Sequence, residues 1–130
     1  MAKNYKELNV WQKAMDIAVS IYRLTLTFPK DELFGLVSQI RRAAVSIASN
    51  IAEGEGRKSS NEFHHFLGIA LGSISELETQ IELSVRIGFT EKSEIQSLVN
   101  DLTTLGKMLT ALRIKLKTPT TDNRKQTTDN

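Results

Sequence analysis

The stretch that decides the fold is Gln39-Ile40-Arg41-Arg42-Ala43-Ala44-Val45-Ser46-Ile47-Ala48-Ser49-Asn50-Ile51-Ala52-Glu53-Gly54-Glu55-Gly56-Arg57. It consists mainly of small residues and isoleucine, a composition typical of a helix whose backbone lies close to its neighbours. Spacings of four, four, three and four place one polar row on a single helical face: Arg42, Ser46, Asn50, Glu53 and Arg57. This polar row is the first candidate for a functional or structural face.

The same stretch lies in one of four segments whose apolar residues recur at alternating spacings of three and four, as in packed bundles. The predicted helices span about residues 9–27, 31–53, 60–87 and 91–117. Because the connections are short, neighbouring helices should be antiparallel, which predicts an all-α, up-down-up-down, left-handed four-helix bundle. The four apolar seams are Val10, Ala14, Ile17, Ile21, Leu24 and Phe28; Leu33, Val37, Ile40, Ala44, Ile47 and Ile51; Phe63, Leu67, Ala70, Ile74, Leu77 and Ile81; and Ile95, Leu98, Leu102, Leu105, Leu109, Leu112 and Leu116.

Residues between the seams predict where the helices begin and end. Asp31 follows Phe28-Pro29 and is a side chain that can cap the second helix. Gly54 and Gly56 suit the end of that helix, because glycine tolerates a positive φ. Ser59 stands three residues before a glutamate, which predicts a capping box that opens the third helix.

Helices one and three carry more apolar surface than one bundle core requires. The residues outside the seams are Trp11, Met15, Ala18 and Tyr22 on the first helix and Phe66, Ile69, Leu83 and Ile87 on the third. Exposed apolar area of this kind marks an interface, so we expect self-association. A thin side on the third helix should face the small residues of the second, and consists of Gly68, Gly72, Ser73 and Ser75.

Length and composition predict that residues 1–117 form one domain and that the protein is cytoplasmic. The 130-residue chain has no cysteine, which excludes disulfides and thiolate metal sites. Residues 1–6 do not show the apolar run of a signal peptide, and no apolar stretch approaches the ~20 residues of a membrane span, so we expect a cytoplasmic protein. Residues 118–130 contain no aliphatic or aromatic residue and are predicted to form a disordered tail.

Charge is distributed unevenly although the net charge is only +2. Residues 1–30 and 90–117 have excesses of three and two positive charges, whereas residues 59–89 have an excess of three negative charges. The first and last helices are therefore basic and the third is acidic. Binding to nucleic acid would have to come from this distribution, not from the total charge.

Two acidic patterns in the sequence could suggest a metal site or acid–base chemistry, but each lacks the partner residues that such a site needs. Glu62-Phe63-His64-His65 contains the Glu-x-x-His element of di-iron bundles, but the sequence holds no further histidine for a second copy. Glu76, Glu78 and Glu82 have no histidine or nucleophile beside them and are typical of a solvated acidic face. We therefore predict no metal site, no cofactor and no catalytic residue.

Arg41 and Arg42 allow two interpretations. Arginine's planar fork suits bidentate pairing with either a carboxylate or a phosphate. On the structural interpretation, one of them pairs with an acid such as Glu53, Glu76 or Glu82, within the protomer or across a subunit contact. On the functional interpretation, they bind phosphate.

The run from Phe28 to Gly88 resembles the four-helix-bundle family encoded in intervening sequences of bacterial 23S rRNA genes. The matching residues are Phe28-Pro29, Gly35-Leu36, Gln39-Ile40-Arg41-Arg42-Ala43, Ser46-Ile47, Asn50-Ile51-Ala52-Glu53-Gly54, Gly56-Arg57, Phe66-Leu67, Ala70, Gly72-Ser73 and Glu76-Leu77-Glu78-Thr79. The chain departs from the family pattern at Ala48, Glu55 and Leu71, where proline, an aromatic residue and arginine are common.

The resemblance implies a homo-oligomer, typically a ring of five bundles, and no enzymatic activity. It also implies kinship with the accessory protein of diversity-generating retroelements, a basic ring that contacts nucleic acid. We therefore expect a protein that associates with RNA or DNA through Arg41, Arg42, Arg57 and Lys58. A second, weaker patch consists of Lys107, Arg113, Lys115 and Lys117. The alternative is a structural or adaptor module that binds another protein, in which the arginines serve oligomer assembly.

Overall fold

A computed structural model describes residues 4–117 of the chain, and the tail predicted at residues 118–130 lies outside that range. Within residues 4–117 the protein contains four α-helices and no strand. The helices are α1 (Asn9–Thr25), α2 (Leu36–Gly56), α3 (Ser60–Arg86) and α4 (Lys92–Lys117). Short 3-10 helices precede the first two at Tyr5–Glu7 and Lys30–Glu32. None of the helices in this range has the length and apolar character that crossing a bilayer requires.

The four helices form an antiparallel bundle, as the sequence predicts. Each helix packs against the next along the chain, and α1 packs against α4 to close the bundle. Contacts between α2 and α3 run in opposite directions, since Ser46 meets Ser73 whereas Gly54, further along α2, meets the earlier residue Phe66. The left-handed sense of the bundle stays a prediction.

The predicted seams fill the core. Residues that are almost completely inaccessible come from all four helices and include Ile17, Ile47, Leu77 and Leu105. Leu33 is the exception, because it lies before α2 and 45% of its surface is exposed. At one end of the bundle Phe28 is buried, and its ring packs against that of Phe89 at 5.6 Å between centroids.

The predicted start of the second helix is wrong by five residues, because Asp31 lies in the 3-10 helix Lys30–Glu32 and caps nothing. Gly35, at φ −110° and ψ −113°, separates that turn from α2. The neighbouring acid does the capping: the Glu32 carboxylate accepts the backbone N–H of Leu36 at 3.3 Å. A carboxylate before the first turn also interacts favourably with the helix dipole.

Two other predicted boundaries are confirmed. The Ser59 hydroxyl accepts the backbone N–H of Glu62 at 3.3 Å, as an N-cap does. The predicted capping box is only half formed, because the Glu62 carboxylate pairs with Arg57 instead of the Ser59 N–H. After α3, Gly88 adopts a φ of +86° and the Phe89 N–H donates to the Ser84 carbonyl at 2.9 Å. This is the Schellman arrangement in which a left-handed residue closes a helix.

Candidate functional site

The small residues of α2 allow α3 to approach closely at Gly54. A β-carbon at position 54 would lie 2.7 Å from the β-carbon of Phe66 and 3.0 Å from the ring of Phe63. Gly54 and Gly56 lie in the last turn of α2, as predicted, but neither of them has the positive φ that was the reason for the prediction. The residue with positive φ is Lys58, at +59°, one position after the C-cap Arg57.

The middle of the polar row is covered by α3. The hydroxyls of Ser46 and the buried Ser73 lie 2.9 Å apart, and the Asn50 amide donates to the Ser46 carbonyl at 2.8 Å. The same amide lies 3.0 Å from the Ser46 hydroxyl. The predicted row therefore has a structural centre and two exposed ends, at Arg42 and at Glu53 with Arg57.

Arg41 joins α2 to the last turn of α1. Its Nε donates to the Thr25 hydroxyl at 2.9 Å and one Nη donates to the Tyr22 carbonyl at 3.5 Å. The guanidinium also lies 4.5 Å from the centroid of the Tyr22 ring, within cation–π range. Arg41 is half-buried, and these contacts give it a structural task within the protomer.

Arg42 is exposed and has no hydrogen-bond or ion-pair partner among residues 4–117. It lines an open groove of about 510 Å³ between the end of α1 and the start of α2. We call this the α1–α2 groove, formed by Tyr22, Leu33, Phe34, Ser38, Arg41, Arg42 and Val45. Its most prominent member is Phe34, whose surface is 92% exposed.

Arg57 and Lys58 are exposed but are engaged by carboxylates. Arg57 pairs with Glu53 at 2.8 Å and with Glu62 at 3.5 Å, and its guanidinium lies 5.0 Å from the centroid of the Phe66 ring. Lys58 pairs with Glu55 at 3.2 Å. Such surface pairs contribute only about 0–1 kcal/mol each, so both cations can exchange their partners for a phosphate.

The four predicted contacts do not form one site. Arg42 and Arg57 are fifteen residues apart on α2, which corresponds to about 22 Å along the helix axis. Lys58 lies instead beside the C-terminal turns of α4, because Lys58, Ser59 and Leu116 line one shallow groove. Arg57 lies at the same α2–α3 turn, where it contacts Glu62 and the Phe66 ring of α3. The structure thus divides the first predicted patch and brings Lys58 to the second.

The C-terminal turns of α4 reach across to the start of α3. Arg113 donates from Nε to the His64 carbonyl at 3.1 Å, and one Nη lies 3.5 Å from Nδ1 of the same histidine. Glycine at position 68 makes room for this path, since a β-carbon there would lie 3.1 Å from an Nη of Arg113 and the guanidinium would have to shift by a few tenths of an ångström. The thin side predicted to face α2 therefore faces α4 at Gly68.

One end of the bundle thus gathers basic side chains from the α2–α3 turn, the start of α3 and the end of α4. We call it the basic end, formed by Arg57, Lys58, His64, Arg113, Lys115 and Lys117. None of the carboxylates in residues 4–117 pairs with the three α4 cations. Burial lowers the pKa of His64 below its ordinary 6.5, and the nearby charges of Arg113, Lys117 and His65 lower it further.

Among residues 4–117, the acidic residues of the Glu-x-x-His element and of the acidic face on α3 do not come together in one site. Glu82 pairs with Arg86 at 2.9 Å, and Glu76 accepts the Gln80 amide at 3.5 Å. Glu62 turns to Arg57. In the described part of the chain, His, Asp and Glu nowhere gather in a group of three that could hold a metal ion.

Sequence reasoning missed the His64–Arg113 contact and the α1–α2 groove. The contact joins residues 49 positions apart, and only their meeting on adjacent antiparallel helices brings them together. The one sequence signal for this contact was Gly68 on α3, which leaves room for a long side chain from the basic end of α4. For the groove, the signal was Phe34, an aromatic residue outside every seam.

Comparison with known proteins gives a family match and a similar solved structure. Residues 6–111 match the family model described as 23S rRNA-intervening sequence protein. A crystal structure from Bacteroides thetaiotaomicron, of a protein of unknown function from the S23 ribosomal protein family, superposes with a TM-score of 0.74. The two chains are 30% identical over 81% of this chain and 95% of that one. Among curated proteins, none is similar enough to match.

Proposed function

Because the chain belongs to the 23S rRNA-intervening sequence protein family, we propose that it is a non-enzymatic protein that assembles with copies of itself and binds RNA or DNA. The basic end is the proposed nucleic-acid surface. The α1–α2 groove is the proposed contact between copies. The observation that carries the proposal is the convergence of separate chain segments at the basic end.

The charges at the basic end favour a polyanion. The basic end has five permanent cations, Arg57, Lys58, Arg113, Lys115 and Lys117. Three carboxylates, Glu53, Glu55 and Glu62, pair with the first two of these cations. This leaves an excess of two positive charges per copy before His64 is counted. Phosphate contacts gain free energy by releasing counterions from the nucleic acid, and each cation adds to that gain.

Self-association would repeat this modest charge several times. A homo-oligomer of five copies, the number that the family resemblance implies, would present about ten excess positive charges. Linked binding surfaces raise the overall affinity without any new type of contact. The proposed assembly therefore explains how a chain with a net charge of only +2 could hold nucleic acid.

The α1–α2 groove suits a contact between copies because it combines exposed apolar surface with an unpaired cation. Leu26, beside the groove in sequence, is 76% exposed, and Phe34 is more exposed still. Arg42 has no partner among residues 4–117 of its own protomer, and the acidic α3 of another copy offers carboxylates such as Glu78. This corresponds to the structural interpretation of Arg42 in which the pair forms across a subunit contact.

Nucleic-acid binding is tested by fluorescence anisotropy with a single-stranded RNA, a duplex DNA and the full chain. Between about 50 mM and about 200 mM salt the affinity should fall steeply. The double variant Lys115→Gln/Lys117→Gln should bind more weakly and with a shallower salt slope, reduced by about one to two. Lys30→Gln/Lys92→Gln is the matched control, since it removes the same charge from exposed positions elsewhere. Equal losses in both variants would contradict a localised site.

Self-association is tested separately by light scattering coupled to size-exclusion chromatography. The wild-type chain should elute as an oligomer at micromolar concentration. Arg42→Glu should shift it towards the monomer, whereas Lys92→Glu, at an exposed position outside the groove, should not. A monomeric wild-type chain would reject this half of the proposal.

A second candidate function is an adaptor module that binds another protein. The exposure of Phe34 within an apolar groove favours it, because aromatic residues in grooves commonly anchor protein partners. In that case Arg41 and Arg42, which line the α1–α2 groove, would contact the bound partner. The anisotropy experiment separates the two functions, since an adaptor would bind neither RNA nor DNA at low salt.

A further inference from the structure

We propose that His64, Thr110, Arg113 and Lys117 form a binding site for a single phosphate group. These residues, with Ile114, line a cavity of about 220 Å³ between the start of α3 and the end of α4. The inference rests on the proposed function in one respect, since it identifies where within the basic end a nucleic-acid phosphate would be held.

The cavity has donors on several sides and a fixed guanidinium. Arg113 is held by its Nε bond to the His64 carbonyl, 3.1 Å long, and by the absence of a side chain at Gly68. That bond uses the Nε donor, and one Nη lies 3.5 Å from Nδ1 of the His64 ring, so the remaining N–H groups of the outer nitrogens are available to an anion. Thr110 and Lys117 line the same cavity, and their hydroxyl and ammonium groups can complete a set of donors for one tetrahedral anion.

The permanently charged side chains of the cavity wall, Arg113 and Lys117, are both positive. Among residues 4–117, no carboxylate lines the cavity and none pairs with Arg113 or Lys117. The same cations help to keep the His64 ring neutral by lowering its pKa. A bound phosphate would oppose this effect, because a negative charge beside the imidazole favours its protonated form.

A phosphate group fits this arrangement better than a carboxylate does. Two cations and a protonatable ring match an anion that carries up to two negative charges and several acceptor oxygens. Arginine in particular binds phosphate through parallel hydrogen bonds, whereas lysine contributes a point charge. The phosphate can come from a nucleic-acid backbone or from a small phosphate in solution, and the chemistry at the site is the same.

The pKa of His64, followed by NMR in the full chain, tests the site. Inorganic phosphate should raise that pKa, whereas sodium chloride at the same ionic strength should raise it less. Lys117→Gln should weaken phosphate binding roughly tenfold, the effect of losing one charge-assisted contact. Lys115→Gln is the matched control, since it removes the same charge two positions away and does not line the cavity. An unchanged pKa in phosphate, or equal losses in the two variants, would overturn the site.

An oligonucleotide with a 5′-phosphate and its 5′-hydroxyl counterpart separate the two phosphate sources. Movement of the His64 signal with both supports backbone phosphates, and movement with the 5′-phosphate alone supports a terminal or small phosphate. If oligonucleotides bind by anisotropy while His64 stays unchanged, the phosphate site is wrong and the proposed function stands. If inorganic phosphate moves the signal and neither oligonucleotide binds, the site stands and the proposed function fails.

Discussion

Gly54 of α2 lies so close to Phe66 of α3 that a β-carbon on the glycine would be 2.7 Å from the β-carbon of the phenylalanine. Real β-carbons do not approach other carbon atoms this closely, so any side chain at position 54 must push the two helices apart. The same crossing positions Arg57, whose guanidinium lies over the Phe66 ring. Glycine at position 54 therefore sets the distance between α2 and α3 at the place where Arg57, a member of the basic end, is held.

Gly54→Ala should destabilise the protein. Overpacking a core contact costs about 1–3 kcal/mol, and the gain in helix propensity returns at most about 1 kcal/mol. We expect a net loss of about 1–2 kcal/mol in the free energy of unfolding, measured by urea denaturation. Gly72→Ala is the control, because a β-carbon at that exposed position of α3 meets nothing within 4 Å. It should leave stability unchanged or raise it; a neutral Gly54→Ala would show that α3 can move away freely.

Arg41 and Arg42 should behave differently although they are neighbours. Arg41→Ala removes two hydrogen bonds and a cation–π contact from a half-buried position, which should cost about 1–2 kcal/mol. Arg42→Ala should leave the stability of the protomer within about 0.5 kcal/mol and weaken self-association instead. Chemical denaturation of dilute protein measures the stability of the protomer, and light scattering measures self-association. A destabilised protomer in Arg42→Ala would contradict the exposed position of that side chain.

Ser46 and Ser73 should prove energetically coupled across the α2–α3 contact. Either alanine substitution leaves the other hydroxyl without its partner 2.9 Å away, at a cost of about 1 kcal/mol. The double variant should cost less than the sum, because it removes both polar groups together. A double-mutant cycle on the free energy of unfolding measures this coupling. Strict additivity would mean that each hydroxyl finds another acceptor in its own helix.

The stability of the protein should fall as the pH drops below about 6.5, in part because of His64. Its pKa is lower in the folded state than the ordinary 6.5, so the unfolded chain takes up the proton first. The stabilisation is complete above pH 6.5 and is lost as the pH falls towards the folded pKa. Arg113, Lys117 and His65 are the charged or titratable neighbours that shape this dependence.

Substituting His64 measures how much this residue contributes to the pH dependence of stability. His64→Gln should flatten the dependence of the unfolding free energy on pH in this window, since glutamine does not titrate. His65→Gln is the control at the adjacent, exposed ring. A slope that is unchanged in His64→Gln would show that other groups carry the dependence.

Gln80→Leu should stabilise the protein. The side chain is only 7% exposed, and its Oε1 has no hydrogen-bond partner among residues 4–117. Leucine has a similar volume and removes the unpaired acceptor, so we expect a gain of about 1 kcal/mol in a thermal or urea melt. Destabilisation would instead reveal a partner for this oxygen, such as a buried water or another copy of the chain.

The core was predictable from the sequence because burial follows the helical period. Ile47, Leu77 and Leu105 stand on seams of alternating three and four, and all three are buried. The start of α2 was not predictable in the same way. Asp31 and Glu32 are both acids that can cap a helix, and only the 3-10 turn and Gly35 determine that Glu32 does so.

The candidate site was predictable only in part. Its residue types were identified, but whether they meet depends on how two helices face each other across the bundle. The period of α4 does not reveal that Arg113 reaches His64 over Gly68. Likewise, glycine at position 54 fits both a helix end and a close crossing, and the identity of the neighbouring helix decides between them.

The pattern of helix contacts has a consequence for the order in which the bundle opens. The α2–α3 pair makes the most extensive contact and is joined by a turn of a few residues, whereas the α1–α4 contact is the smallest and joins the two ends of the bundle. Local, sequence-near contacts form early in folding, and regions with few contacts exchange their amide hydrogens first. Amides in the middle of α2 and α3 should therefore exchange most slowly, while α1 and α4 detach and reattach as separate units.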